Sequence, residues 1–412
     1  MIKPTLQRLA QSPLVRNFSV LTGATMISYL MSFFVVMHVA RTLGPEEYGK
    51  VGFAQAFVSY FMLIASMGLE TLGLRDIAKD KSRAISVLTN ITILRLVLFS
   101  IAYSVMVFFL YLFPRDHISN IVVLVFGGYM LLTPVMQEWY YMGNENFKIV
   151  GMSRIVHSIL YCGLIFLLIR RPGQVVEFTA LQVGANIIPL AVLWYPLLQR
   201  INLRYFDFAQ IRVYLRSGVW LMLSSFMAMI YLNMDKVMIG YLLPGKYLGW
   251  YDAAYKIILV LIVPSSLLWG VMSPRISRFE RRDILLWVAG MAVVGAGIAL
   301  CIFPVRHWIV DLVFGIQYAP AAAPLGILAL SMFANHCAKA FSFPLQVWRY
   351  ERYFFFAALA GACVNVILNV LLIPRYELEG AAWATMAADT TVALCALPFF
   401  VRGMRKGKAR NE

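Results

Sequence analysis

The chain has 412 residues, 61% of them hydrophobic and only 14% charged, with a mean hydropathy of +0.74. Soluble proteins carry nearer a quarter charged residues, and a soluble chain of this length could not bury so much apolar side chain, so a set of soluble domains is excluded. The formal charge of +16 invites a nucleic-acid reading, but no polar segment is long enough to present a basic soluble face with aromatics.

Apolar runs of roughly 20 residues, each able to cross about 30 Å of hydrocarbon as a helix, recur from end to end. In chain order they predict twelve spans, at 17–40, 51–73, 87–113, 119–142, 151–169, 175–199, 215–243, 250–273, 284–304, 319–342, 353–374 and 379–401. The first is too long for a cleaved signal peptide, and no small-residue cleavage site leads into a polar mature domain. With the N-terminus placed inside, about two thirds of the 36 Lys and Arg residues fall on the cytoplasmic side, the asymmetry of a multi-pass protein with both termini cytoplasmic.

Between spans 1 and 2 lies LGPEEYGKVGFAQ, Leu43 to Gln55. Its two glycines and Lys50 imitate a phosphate-binding loop. The motif fails on context: position 51 is Val rather than Ser or Thr, no strand precedes it, and Glu46 and Glu47 would repel a phosphate. A tight helix–turn–helix accounts for the residues better. Gly44 ends one helix in a left-handed conformation, Pro45 suits the first turn of the next, and the two glutamates favour that helix's N-terminus.

A related string, LLPGKYLGWYDAA, begins at Leu242, between spans 7 and 8. Leu43 and Leu242, Pro45 and Pro244, Tyr48 and Tyr247, and Ala54 and Ala253 hold the same offsets. Six spans return the chain to its starting side, so the match predicts two six-helix bundles of like topology, related by a pseudo-twofold axis along the membrane normal, with the substrate path between them. The expected fold is therefore an all-α polytopic membrane protein of about twelve transmembrane helices. Residues 1–199 would form the first bundle, 200–214 a cytoplasmic amphipathic linker, and 215–412 the second bundle. The linker is basic, and Phe206, Phe208 and Tyr214 are expected to face lipid.

The five cysteines (Cys162, Cys301, Cys337, Cys363 and Cys395) lie in apolar runs without a CxxC pair, which suggests small core residues rather than disulfides or zinc. No HExxH, GxSxG or DxD motif occurs and every outer loop is short, so no catalytic residue, metal or cofactor is expected. Trp139, Tyr140 and Tyr141 fit an interfacial aromatic belt.

Charges inside spans are costly and mark cavities or partners. Arg95 stands too far along span 3 to snorkel back to the inner surface. Asp235 and Lys236 are adjacent in span 7, and Lys256 lies in span 8. Glu70 sits low in span 2. Asp389 in span 12 would meet Asn365 and Asn369 if those helices pack. With Lys339 near the inner end of span 10, cations outnumber anions in this set, which suits an anionic ligand. Asp235, Asp389 or Glu70 could take up a coupling ion, or Asp235 could neutralise Lys236.

RTLGPEEYG, GLETLGLRDIA, EWYYMGNENFK, MDKVMIGYLLPGKYLGWYDAAYKI, MSPRIS and NVILNVLLIPRYELEGAAWAT occur in this order over nearly the whole chain. The series resembles the O-antigen flippase (Wzx) family, in the polysaccharide-transporter branch of the multidrug/oligosaccharidyl-lipid/polysaccharide (MOP) exporter superfamily. The resemblance implies a V-shaped pair of bundles around a cationic cavity lined by spans 1, 2, 7 and 8, in the bacterial inner membrane. It implies flipping of an undecaprenyl-diphosphate-linked oligosaccharide, an O-antigen or similar repeat unit, towards the periplasm by alternating access. It further implies coupling to an H+ or Na+ gradient, and a polysaccharide polymerase complex as a neighbour. It favours Arg41, Lys236 and Lys256 as cavity cations and says little of Arg95. Rival readings are a cation-coupled multidrug exporter of the same superfamily, a membrane polymerase or glycosyltransferase, and a scaffold that moves nothing.

Overall fold

A computed structural model describes residues 13–197, 203–348 and 350–411, and every regular element in them is helical. Among these residues nine helices are long and apolar enough to cross a membrane, or ten when the two pieces of the broken helix 208–242 are taken as one. Phe108, Leu167, Trp220 and Leu300 stand exposed on their helices. Water would not tolerate such a continuous apolar exterior, whereas hydrocarbon does. The chain is an all-α, multi-pass membrane protein.

The helices gather into two compact units. The first comprises Met1–Leu43 and Phe57–Phe226, and the second Gly44–Ala56 and Met227–Glu412. Helix α1 (Pro13–Ser66) contributes to both and is interrupted at Gly44, whose φ of 77° and ψ of 167° are not helical. The positive φ suits glycine, as expected, but the ψ is extended rather than left-handed. Pro45 opens the following helical stretch, where its missing N–H costs nothing.

The first unit continues through α2 (Leu69–Lys79), α3 (Ala84–Leu112), α4 (His117–Gly127), α5 (Tyr129–Val135) and α6 (Glu138–Gly143). It closes with α7 (Phe147–Leu168), α8 (Val175–Gly184), α9 (Ile187–Trp194) and the start of α10 (Phe208–Leu242). The fourth span is thus three short helices. Pro134 has no N–H to extend α5, and Gln137 donates to the Pro134 carbonyl at 2.7 Å and to Thr92 at 3.0 Å across the break.

Two expectations fail in this unit. Trp139, Tyr140 and Tyr141 are 3%, 6% and 4% exposed and form its core with Leu88, Ile91 and Leu72. Gly73 leaves room for the Trp139 ring to lie on α2, and Tyr141 donates to the Leu193 carbonyl at 2.6 Å. They are core rather than belt because α6 is short and packed on α2. The second failure is Tyr214 of the linker, of which 200–202 lie outside the described residues. Asn90 of α3 donates to the Tyr205 carbonyl and to Gln210, both at 2.9 Å, and accepts the Asp207 N–H at 2.8 Å. Tyr214, expected in lipid, is buried and donates to Asp76 at 3.1 Å. Phe206 and Phe208 are exposed. The segment is therefore clamped to the first unit, because a backbone turn beside a helix needs its polar groups satisfied.

The second unit contains residues 44–56, the end of α10, α11 (Gly245–Ile276), α12 (Arg281–Phe314), α13 (Ala322–Val347) and α14 (Glu351–Asn411). Helix α14 is a hairpin bent at Glu377, where φ is 51° and ψ −125°. Gly380 lies against the Leu372 backbone and Gly361 against Val392, contacts spaced symmetrically about the bend. Trp287 and Trp348 anchor the core. Their indole N–H groups donate to the Ala340 and Ile276 carbonyls at 3.1 and 3.0 Å, and Trp348 stacks between Phe279 and Phe400. Contrary to the core reading of the cysteines, Cys301 and Cys363 are exposed and the other three only half-buried.

Candidate functional site

The related strings at Leu43 and Leu242 lie against each other within the second unit. A Cβ on Gly49 would strike the Gly245 carbonyl, and one on Gly249 would strike the Pro45 carbonyl. Glycine at both positions lets two helix starts cross with backbones in contact. Glu46 accepts the Lys246 N–H at 3.1 Å beside this crossing.

One and two turns further along, the same three helical segments enclose a charge cluster. Asp252 and Lys256 stand one turn apart on α11, so they share a face. Asp235 and Lys236 are neighbours on α10, so their side chains diverge by about 100°. Lys236 Nζ reaches Asp252 Oδ1 at 2.8 Å, and Lys256 Nζ reaches Asp252 Oδ2 at 2.8 Å. Asp235 turns away, accepting from the Tyr251 hydroxyl and from the Lys236 N–H at 2.8 Å. Lys256 also donates to the Tyr48 hydroxyl, with its Nζ 4.4 Å from that ring's centre, and Lys236 Nζ lies 4.2 Å from the centre of Tyr255. Gly52 makes room for the carboxylate, since a Cβ there would come within 3.3 Å of Asp252 Cγ.

The Asp252 side chain is 2% exposed, that of Lys236 9% and that of Lys256 21%. Two ammonium groups share one carboxylate, so this triad carries one net positive charge, and its most accessible member is Lys256. Such an arrangement can exchange a carboxylate contact for an incoming anion through charge-assisted hydrogen bonds.

The remaining expected residues are dispersed. Arg41 is exposed on α1, in the first unit. Arg95 in that unit is wholly buried, and its Nη2 meets Glu70 Oε1 at 2.6 Å. Its Nε and Nη1 have no hydrogen-bond partner. Arg95 is therefore paired with Glu70, which stands half-exposed in the first turn of α2. Asn369 donates to Asn365 at 3.0 Å, and Asp389 accepts from Tyr231 and, at 2.9 Å, from Asn335. Lys236 forms its ion pair with Asp252 rather than with Asp235. The expected excess of buried cations shrinks accordingly, since Arg95 and Lys236 each have a carboxylate partner.

Sequence reasoning missed Asp252, Tyr48, Tyr251 and Tyr255. The i, i+4 spacing of Asp252 and Lys256 is a signal that could have found the first. The tyrosines resemble ordinary membrane aromatics and carry none. No group of His, Cys, Asp and Glu suited to a metal ion occurs among the described residues.

A family model described as "Polysaccharide biosynthesis protein" matches residues 14–280. The "Putative O-antigen transporter" of Escherichia coli (strain K12) is 21% identical over 93% of this chain and 96% of its own length. The "Capsular polysaccharide biosynthesis protein CapF" of Staphylococcus aureus is 21% identical over 94% and 99%. Among solved structures, an inward-facing multidrug resistance MATE family transporter of the MOP superfamily superposes with a TM-score of 0.74 at 14% identity, over 97% of this chain and 99% of that one. The lipid II flippase MurJ, inward closed, gives 0.72 at 14% identity, over 94% and 89%. The fold is that of these transporters, which are not enzymes. With well over half of its length matched by the family model, the chain belongs to the polysaccharide biosynthesis protein family.

Proposed function

We propose that this protein is a flippase that moves an undecaprenyl-diphosphate-linked oligosaccharide, the repeat unit of an O-antigen or similar surface polysaccharide, from the cytoplasmic to the periplasmic leaflet by alternating access. The observation that carries the reading is the Lys236–Asp252–Lys256 triad inside membrane-length helices. A diphosphate headgroup cannot cross hydrocarbon unaided, and a partly accessible ammonium that already shares its counter-ion offers it a contact at little desolvation cost. The similarity to an O-antigen transporter and a capsular polysaccharide biosynthesis protein supports the same class of cargo. A drug exporter would share the fold, but cationic cargo gains nothing from the Lys236–Lys256 pair.

In this reading Lys236 and Lys256 contact the diphosphate and Arg41 assists, while Arg95 supports the first unit through Glu70. Asp235 and Asp389 are the groups for H+ or Na+ coupling. Asp389 is the stronger of the two, because it is buried and its Oδ2 lacks a hydrogen-bond partner. The α14 hairpin counts as two crossings, and so does the run Gly23–Lys79, interrupted at Gly44. This brings the ten helices to twelve crossings in two six-helix bundles, with both termini cytoplasmic in a bacterial inner membrane. The flipped unit then passes to a polymerase.

The test is reconstitution of the full chain into vesicles loaded on one leaflet with a fluorescent undecaprenyl-diphosphate oligosaccharide. Gradient-dependent loss from that leaflet is expected. Movement no faster than in protein-free vesicles under both H+ and Na+ gradients would overturn the proposal.

A further inference from the structure

The first unit holds a cavity of mixed polar and apolar lining that neither the charge cluster nor the mechanism above uses. Its volume is about 250 Å³, and its walls include Tyr29 of α1, Tyr129 of α5, Glu138 of α6, Arg154 and His157 of α7, and Asn186 at the start of α9. Arg154 is locked in a planar fork. Its Nη2 donates to Glu138 Oε2 at 2.7 Å, its Nε spans both carboxylate oxygens at 3.2 Å, and its Nη1 donates to Thr25 at 2.8 Å. The two side chains are 32% and 23% exposed, so each keeps an accessible edge.

The chemistry of this wall is specific in three ways. First, the ion pair makes it neutral, so it does not select a phosphate or another full charge. Second, a carboxylate and a guanidinium held side by side offer an acceptor edge and a donor edge a few ångströms apart, which matches vicinal hydroxyls and a ring amide better than any apolar ligand. Third, Tyr29 is 68% exposed where it borders the cavity, and Tyr129 stacks on Phe126 with its ring held at a 5.8 Å centroid distance. Aromatic faces beside convergent polar groups suit a ring that is apolar on its C–H face and polar at its rim. The volume lies below the roughly 300–1,000 Å³ that drug-sized ligands occupy, which leaves room for a single ring.

We infer that this cavity binds one uncharged sugar residue, a hexopyranose or its N-acetylamino form, with Glu138 and Arg154 reading its hydroxyls. That the sugar belongs to the lipid-linked oligosaccharide rests on the proposed function; the pocket chemistry does not. The cavity would set which glycan is accepted, separately from the diphosphate contact in the other unit.

The test is saturation-transfer NMR on the full chain in lipid nanodiscs, with free glucose, galactose and N-acetylglucosamine as probes. At least one sugar is expected to receive saturation. Met136→Trp fills the cavity from its own wall and should abolish the transfer. Glu138→Gln should weaken it by about tenfold or more, the ordinary weight of a hydrogen bond to a charged group. Tyr29→Ala removes an exposed side chain, leaves the fold intact, and should weaken it as well. Transfer no greater than in empty nanodiscs, or transfer equal in wild type and Met136→Trp, would overturn the inference. The vesicle assay fails independently: sugar binding abolished by Met136→Trp, together with no flipping by the wild type, keeps the sugar pocket and removes the flippase reading.

Discussion

At the scale of single residues, Asp252 decides how the buried lysines are read. Asp252→Asn leaves Lys236 and Lys256 facing each other without a counter-charge. Breaking a buried pair costs about 3–5 kcal/mol, and the partial exposure of Lys256 places this loss toward the lower end. A lowered thermal midpoint and loss of flipping are expected, and an unchanged midpoint in a fluorescence thermal-shift scan would contradict the pairing. Lys256→Gln keeps the packing, so transport should fall about tenfold or more with normal protein levels; wild-type transport would remove Lys256 from the substrate path. Arg95 gives the opposite expectation. Its guanidinium has two donors without partners, and replacing such a pair by apolar groups is often neutral or stabilising. The double variant Arg95→Met/Glu70→Gln should therefore match or exceed wild-type stability and retain transport, and a large loss of transport at normal protein levels would show that the pair takes part in the mechanism.

At the scale of elements, what was legible depended on which property of a segment hydropathy can register. Span positions were readable because apolar length is itself the signal. The meeting of Leu43–Gln55 with Leu242–Ala254 was half readable: the repeat showed, but the crossing of Gly49 over Gly245 and Gly249 did not, since a glycine in a loop looks like a turn residue wherever it packs. The fate of Trp139, Tyr140, Tyr141 and Tyr214 was not readable. Lipid is as apolar as a protein core, so the same side chains satisfy either environment. The contacts of the connector 203–210 were not readable for a related reason: Asn90 on α3 supplies partners that composition cannot foresee. Two substitutions test these packings. Gly249→Val must push back the Pro45 backbone, and overpacking of this kind costs about 1–3 kcal/mol. It should lower the folded yield in detergent, while the same change at Gly297, which has open space around it, should not. Asn90→Ala removes the hydrogen bonds that hold the connector, and trypsin should then cut after Arg204 faster than in wild type; equal cleavage rates would show that the clamp is not limiting.

At the scale of the whole molecule, the fold class and family were legible because twelve apolar runs and an ordered series of weak motifs extend over the full length. The site was legible only in part. Lys236, Lys256 and Asp235 stood out as charges in spans, while the carboxylate that organises them, Asp252, lies at the edge of the predicted span 250–273, where a charge stands out less. A cavity such as that of Glu138 and Arg154 escapes sequence reading altogether, because it is assembled from five helices spread between residues 25 and 189. The division of labour proposed here puts the diphosphate contact in one unit and the sugar contact in the other, and it leaves the chemistry of the cargo unchanged throughout. The central claim is transbilayer movement of the lipid-linked unit. Its most direct measurement is the leaflet distribution of those units in cells lacking the protein, read by periplasmic accessibility to a sugar-modifying enzyme. The account predicts intact units confined to the cytoplasmic leaflet, released by wild-type protein and not by Lys256→Gln; units that reach the periplasmic leaflet in the absence of the protein and remain there unpolymerised would contradict it.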